Sequence, residues 1–467
     1  MRQPLFGVSA AGFRLEGGFN GPGEPANQWG AWERTGKVPS AGLASPGVWA
    51  APDRVLDLAA SLGAEALALG VEWARVEPGP GRRDAAAVAR YASILASAAD
   101  RGLTPLAVLC DVATPGWLGE EFWLTPGSPD RFADHAAWLV EGLGPACRHW
   151  VTMRQPNLVA FAGWVDGRHP PRRLGAVADA WAVVDNLLAA HALAYEAIHD
   201  ARPEADVLFG LRASPSYDWQ RLLLDLLCAP ALGVARENVD TWIEMRRARH
   251  DAMVTPGDLG ELAWRRLAGA TAPFGAGGKV VGRLRRPSPR RVLDVVYGAA
   301  GRRPRSARGP DGSNGSSPSP SAEPGYPLDG LLVVWCPPPL APSRVPGSGA
   351  RAPWQVRPDP GALGAWCRGQ SLATPGLALW VEDGFATRDG VPRADGWDRR
   401  SYLRTGVAAA EEAGLAGYLY ATLEGGGDPT WPDADFGLVS ERSEGDAASS
   451  SGPAFPRARD GVPRPGP

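Results

Sequence analysis

Short apolar runs recur along the chain, bounded by Gly, Pro and polar residues. Between them lie longer stretches in which apolar residues return every three or four positions. The first pattern is that of buried strands and the second that of amphipathic helices. It predicts strands over Phe6–Ala10, Ala64–Val71, Pro105–Cys110, His149–Met153, Val207–Leu211, Gly330–Trp335, Leu377–Glu382 and Gly417–Thr422. Helices are predicted over Ala51–Leu62, Asp84–Arg101, Asp130–Leu143, Ala176–Asp200, Tyr217–Arg249, Gly361–Ser371 and Asp398–Ala413. Alternation of strand and helix implies a parallel sheet, and eight such units close as a (β/α)8 TIM barrel of the α/β class. An open doubly wound sheet is the alternative. It would carry a Gly-rich phosphate turn after the first strand, and the segment from Gly12 to Gly18 is not one.

Two stretches break the pattern. Residues 299–325 are poor in apolar residues and rich in Gly, Pro, Ser and Arg, and predict a long disordered loop before the sixth strand. Residues 440–467 read the same way, as a low-complexity disordered tail. The expected organisation is one barrel over residues 1–439, with its eighth helix lost or replaced by that tail.

Composition narrows the classes. Hydrophobic residues make up 44% of the 467, enough for a large core. The net charge of −3 suggests neither nucleic acid nor an anionic membrane as partner. No apolar run reads as a membrane span, and the N-terminus lacks the apolar stretch of a signal peptide, so a cytoplasmic location is expected. Cys110, Cys147, Cys228, Cys336 and Cys367 are scattered and odd in number, against both a disulfide framework and a zinc site. The six His residues show no ligand spacing, so no metal and no cofactor is expected. Most of the 19 Trp residues are read as core.

In a barrel, chemistry sits at the carboxyl ends of the strands. Strand two runs into Glu72-Trp-Ala-Arg-Val-Glu-Pro78, strand three into Asp111, strand four into Arg154-Gln155-Pro156 and strand seven into Glu382-Asp383-Gly384. Polar groups at the ends of strands four and seven face each other across the mouth, the layout of a retaining glycosidase, whose two carboxyl groups stand about 5 Å apart. Here the chain resembles the family 1 glycoside hydrolases, the β-glucosidase-like enzymes. Trp150-Val-Thr-Met-Arg-Gln-Pro156 is similar to that family's W-x-T-x-N-E-P, and Val381-Glu-Asp-Gly384 to its T/S-E-N-G. Residues 72–78 are similar to S-W-S-R-I-x-P, Val183–Ala192 to A-x-H-N-x-L-x-A-H-A, and Arg399–Leu403 to R-x-x-Y-L. Gly417-Tyr418 and Asp435-Phe-Gly-Leu438 resemble G-Y-F and R-F-G-L.

The resemblance implies Glu382 as nucleophile and Arg75 as the arginine that supports it. It also implies that the acid/base glutamate is replaced by Gln155, which can neither give nor take the proton, a role worth roughly 10²–10⁴-fold. Among the substrate-binding positions, the early glutamine corresponds to Arg14, the H-W pair to Asp111 and Val112, and the asparagine before the acid/base to Arg154. The N-Y pair falls on Val334 and Trp335, the platform tryptophan on Ala421, and the late glutamate on or near Asp428. Arg14 and Arg154 suit a small-molecule glycoside with an anionic group. Equally, Arg154 pairs with Glu382 or Asp111 and fills the pocket. Three functions follow: a retaining glycosidase or transglycosidase for a β-glycoside with a good leaving group, which needs no acid; a different reaction on the same scaffold; or a non-catalytic pseudoglycosidase that binds a glycan, small molecule or protein. The myrosinase branch of the family, which also has glutamine at this position, is the implied precedent for the first.

Overall fold

Every predicted apolar run forms a strand. The computed structural model of the chain describes residues 3–10, 24–37, 47–214, 217–253, 290–300, 326–335, 360–373, 376–388, 391, 393, 395–421, 423 and 434–435. Within them lie β1 (Leu5–Ala10), β2 (Ala66–Gly70), β3 (Thr104–Val108), β4 (His149–Val151), β5 (Asp206–Arg212), β6 (Gly330–Val334), β7 (Ala378–Asp383), β8 (Thr387–Arg388), β9 (Gly417–Ala421) and β10 (Ala434–Asp435). Strands β1 to β7 and β9 close into a barrel in sequence order, each pair parallel. Short β8 and β10 pair antiparallel beside it.

The period of two along each strand splits the core into two layers. Ala66, Ala68, Leu106, Val108, Val151, Leu208, Leu332, Trp380 and Leu419 form one buried cluster, and their alternate neighbours Leu67, Leu69, Ala107, Trp150, Val207 and Val381 belong to the larger cluster shared with the helices. Each fully buried Leu or Val contributes about 1.5–3 kcal/mol by leaving water. Trp380 requires an absent side chain beside it. A Cβ on Gly417, at the start of β9, would lie 2.1 Å from the Trp380 ring.

The helices follow the predicted apolar periodicity, with exceptions. Pro52–Ser61, Ala85–Asp100, Ser128–Leu143, Val177–Ala201, Pro360–Ala373 and Arg399–Ala413 match the expected spans to within a few residues. Asp84 and Asp398 cap two of them, accepting from the backbone N–H groups of Ala87 at 2.9 Å and Ser401 at 2.7 Å. The single helix expected over Tyr217–Arg249 is two helices, Arg221–Cys228 and Val239–Met253. Pro230 cannot donate within a helix, and Gly233 takes a φ of +70°, so the chain turns between them. Helices Gln28–Arg34, Pro156–Trp164 and Arg290–Ala300 were not expected. By length and composition Val177–Ala201 would pass as a membrane span, unlike the sequence reading. Its apolar residues are instead packed on Ser128–Leu143 and Arg290–Ala300 in the core.

Residues 299 and 300 end the helix Arg290–Ala300 rather than belonging to a loop, and residues 301–325 lie outside the described residues, as do 440–467. No helix follows β9 among the described residues. Cys110, Cys147, Cys228 and Cys367 are buried free thiols, and Cys336 lies outside the described residues. Burial pushes the Cys147, Cys228 and Cys367 thiols up to about 12, which leaves them un-ionised.

Candidate ligand site at the carboxyl ends of the strands

Five strands deliver polar side chains to the same end of the barrel. From β3 comes Asp111, from β4 Arg154 and Gln155, from β5 Arg212, from β6 Trp335, and from β7 Glu382 and Asp383. Arg14 and Asp428 lie outside the described residues.

Glu382 sits in the last register of β7, opposite Val334 and Leu419, and is fully buried. Its backbone carbonyl accepts the N–H of Trp335 at 2.7 Å. The Trp335 ring, half-buried, meets Trp366 at 5.5 Å. The Glu382 carboxylate is gripped by Arg154: Nε donates to Oε2 at 2.7 Å and Nη2 donates to Oε1. The third nitrogen, Nη1, lies 3.2 Å from both carboxylate oxygens of Asp111. The guanidinium therefore bridges two carboxylates, in the planar fork geometry that arginine alone provides. Arg154 thus pairs with both Glu382 and Asp111 in this structure.

The close fit depends on glycine. A Cβ on Gly210 in β5 would lie 2.3 Å from the carbonyl oxygens of both Met153 and Arg154. The strand exit carrying the arginine packs directly against β5 backbone.

Gln155 is 5% exposed. Its Oε1 accepts from Arg212 Nη1 at 3.3 Å. Arg212 is fixed in turn by Asn157, whose amide accepts the Arg212 N–H at 2.9 Å and donates to its carbonyl at 2.8 Å. Sequence reasoning assigned no role to Arg212 or Asn157. The available signal was an arginine directly after an apolar strand, at the end where a barrel places its site.

Arg75 lies in the one-turn helix Trp73–Val76, capped by Glu72. It is buried, lies over the Trp49 ring at 4.1 Å and pairs with Glu24 at 2.7 Å. Among the described residues, the cation on the Glu382 carboxylate is Arg154 and not Arg75. The neighbouring Glu77 is fully buried, accepting from Trp73 Nε1 at 2.9 Å and paired with Arg131. Burial raises its pKa, but hydrogen bonding from His135 and Trp73 and the Arg131 charge outweigh this and bring it down to about 2.

Asp383 faces away from this bridge. Tyr402 donates to both of its oxygens at 2.8 Å, Tyr418 donates at 3.1 Å, and the Gly384 N–H at 2.8 Å. Burial pushes its carboxyl up to about 6 despite these donors, and the nearby Glu382 charge adds to the rise. The Tyr contacts tie the end of β7 to the helix Arg399–Ala413 and to β9.

Among the described residues no group of His, Cys, Asp and Glu is arranged to hold a metal. The arrangement offers a fixed ion-pair bridge and a buried amide, while the Trp335 ring packs outward against Trp366 in the layer between barrel and helices.

Comparison with known proteins fits this barrel. The model of glycosyl hydrolase family 1 matches residues 2–229. The chain is 28% identical to β-glucosidase 26 of Oryza sativa subsp. japonica over 196 residues, 40% of this chain and 38% of the rice protein. It is 26% identical to β-glucosidase A of Thermotoga maritima over 210 residues, 42% of this chain and 45% of that protein. These matches thus span less than half of the curated relatives. In fold, the chain is similar to the β-glucosidase from Thermotoga maritima in complex with noeuromycin, with a TM-score of 0.64 and 19% identity, over 94% of this chain and 93% of that one. The AHE enzyme from Alicyclobacillus herbarius is similar with a TM-score of 0.62 and 19% identity, over 94% and 93% of the two chains. Over residues 2–229 the sequence is thus similar to the family 1 glycosyl hydrolases, and around the barrel the chain shares the fold of these β-glucosidases.

Proposed function

We propose that this barrel binds a β-glycoside or a similar small molecule without hydrolysing it. The observation that carries the reading is the Arg154 fork on Glu382. A nucleophile needs a lone pair directed at the anomeric carbon. Here each carboxylate oxygen already accepts an N–H, which leaves one lone pair on each, and the group is fully buried inside the ion pair. Separating a buried ion pair costs about 3–5 kcal/mol, a factor of roughly 10²–10⁴ in rate if attack requires it. The amide at Gln155 adds a second, independent loss of about 10²–10⁴-fold, because it cannot pass a proton to the leaving oxygen. Both losses fall on the same reaction.

One observation favours a second reading. Arg154 is shared with Asp111, so a ligand could leave the guanidinium on Asp111 and expose Glu382. Glu382 would then act as nucleophile, with Arg75 at the edge of the site, on a glycoside whose leaving group needs no acid. An anionic group on that ligand would help to draw Arg154 away.

The two readings separate in one assay. The protein is incubated with dinitrophenyl glycosides, neutral and uronic, with and without azide, while D-glucono-1,5-lactam is titrated against tryptophan fluorescence. Saturable lactam binding without dinitrophenol release supports the binding protein. Release that azide accelerates and Glu382→Gln abolishes replaces it with the enzyme. Neither binding nor release removes the glycoside altogether.

A further inference from the structure

Gln155 is more than nine-tenths buried, and one half of its amide is spoken for. A guanidinium only donates, so Arg212 fixes which end of the amide is oxygen. Oε1 accepts from Arg212, and Nε2 must lie on the opposite side of the planar group. Nε2 makes no hydrogen bond among the described residues. That N–H is left to water or to the acceptor of a ligand that displaces it.

We propose that Gln155 reads its ligand as a hydrogen-bond donor only, selecting molecules that carry an acceptor oxygen on the anomeric side, and that Arg212 is the positioning residue that enforces this polarity. The inference rests on the glycoside-binding reading and deepens it by naming the ligand class: sugars bearing a carboxylate, ester or similar acceptor there, and not an ammonium or other obligate donor. Without Arg212 the amide rotates freely and presents either its oxygen or its nitrogen. Asn157 supports the same geometry from below by clamping the Arg212 backbone at both its N–H and its carbonyl.

The test uses two ligands that share a sugar and differ at one group: a β-C-glucosyl carboxylate and the corresponding β-C-glucosyl methylamine. Their affinities for the full chain are measured by calorimetry. The carboxylate is expected to bind roughly 10–100-fold more tightly, the range of one hydrogen bond to a charged group. Gln155→Leu keeps the Arg212 charge but removes the donor, and should shrink that ratio about tenfold. Arg212→Met should shrink it as well, and Arg212→Lys should restore part of it. A ratio is insensitive to a general loss of stability, so a structural role alone would not move it. A preference that survives Gln155→Leu would assign selectivity to the Arg212 charge and overturn the proposal. Equal binding of both ligands by the unaltered protein would overturn it too, while leaving glycoside binding intact. Binding of neither would overturn glycoside binding and the proposal together.

Discussion

Replacing Arg154 by methionine tests the ion-pair bridge most directly. The substitution keeps most of the side-chain volume and removes the charge. It leaves Glu382, fully buried, and Asp111, largely buried, facing each other with no cation between them. Removing one partner of a buried pair costs about 3–5 kcal/mol, because the remaining charge has lost water and gained nothing. For a chain of 467 residues, an unfolding entropy of about 2.1 cal/mol/K per residue gives roughly 1 kcal/mol/K, so the midpoint should fall by about 3–5 °C. The companion Arg154→Met/Glu382→Met variant removes both charges and should regain most of the loss, since a buried pair replaced by apolar side chains is often neutral or better. Thermal and urea unfolding of the wild type, both single variants and the double variant closes the cycle. A coupling of 2 kcal/mol or more, on the order expected for contacting buried charges, supports the fork. Independent, additive effects would refute it. The non-catalytic reading would then lose its main support, because Glu382 would be free to react.

Further perturbations address separate parts of the fold. Asp383, with its carboxyl raised to about 6 against an ordinary value of 3.8, favours folding most when protonated. Its contribution should be fully present below about pH 4, lost as pH rises through 6, and absent above, a change of up to ~3 kcal/mol. Asp383→Asn should therefore overtake the wild type in stability as pH passes 6; parallel stability profiles from pH 4 to 8 would sink the assignment. Gly417→Ala drives a methyl into the Trp380 ring and should cost about 1–3 kcal/mol or more, with Trp380→Leu in the same chain recovering much of it, read as the urea midpoint. Gly210→Ala pushes the Met153 and Arg154 carbonyls aside, and should weaken lactam binding measured well below its melting temperature; binding equal to that of the unaltered protein would refute the packing argument.

The eight barrel strands were legible because a parallel strand covered on both faces is an uninterrupted apolar run, and such runs were the strongest pattern in the chain. The missed helix Pro156–Trp164 had no such signal. Ala160, Phe161, Ala162, Gly163 and Trp164 are buried in succession, so no polar face marks a period of 3.6. Arg290–Ala300 does carry an apolar stripe, but it borders a stretch dominated by Arg, Pro and Gly that hides its start. At the site, position was legible and partnership was not. Motif spacing put Arg154, Gln155, Asp111 and Glu382 at strand ends. Which cation meets Glu382 is decided by reach across the barrel, and the Arg154 side chain from β4 occupies the carboxylate while Arg75 turns to Glu24 and Trp49. Sequence distance, 228 positions between Arg154 and Glu382, carries no trace of that choice.

The two unusual residues at the end of β4 are best understood as one electrostatic unit. Arg154 introduces a charge that must be neutralised in a nearly dry site, and Glu382 and Asp111 together supply two negative charges against it. Arg212, one residue past the apolar core of β5, adds a second positive charge beside Gln155. With glutamine at 155, these four charged groups among the described residues sum to zero. A glutamate there would make three carboxylates share two guanidinium groups, and the surplus charge would have to be buried or protonated at a cost of several kcal/mol. Conversely, an asparagine in place of Arg154 would take from Glu382 and Asp111 the guanidinium that now bridges them. Neither change is neutral by itself, whereas the pair is balanced. Arg154 and Gln155 are therefore linked through the charges around them. On the proposed reading, they leave charges that satisfy each other at rest, with Arg154 bridging Glu382 and Asp111 and Arg212 beside Gln155.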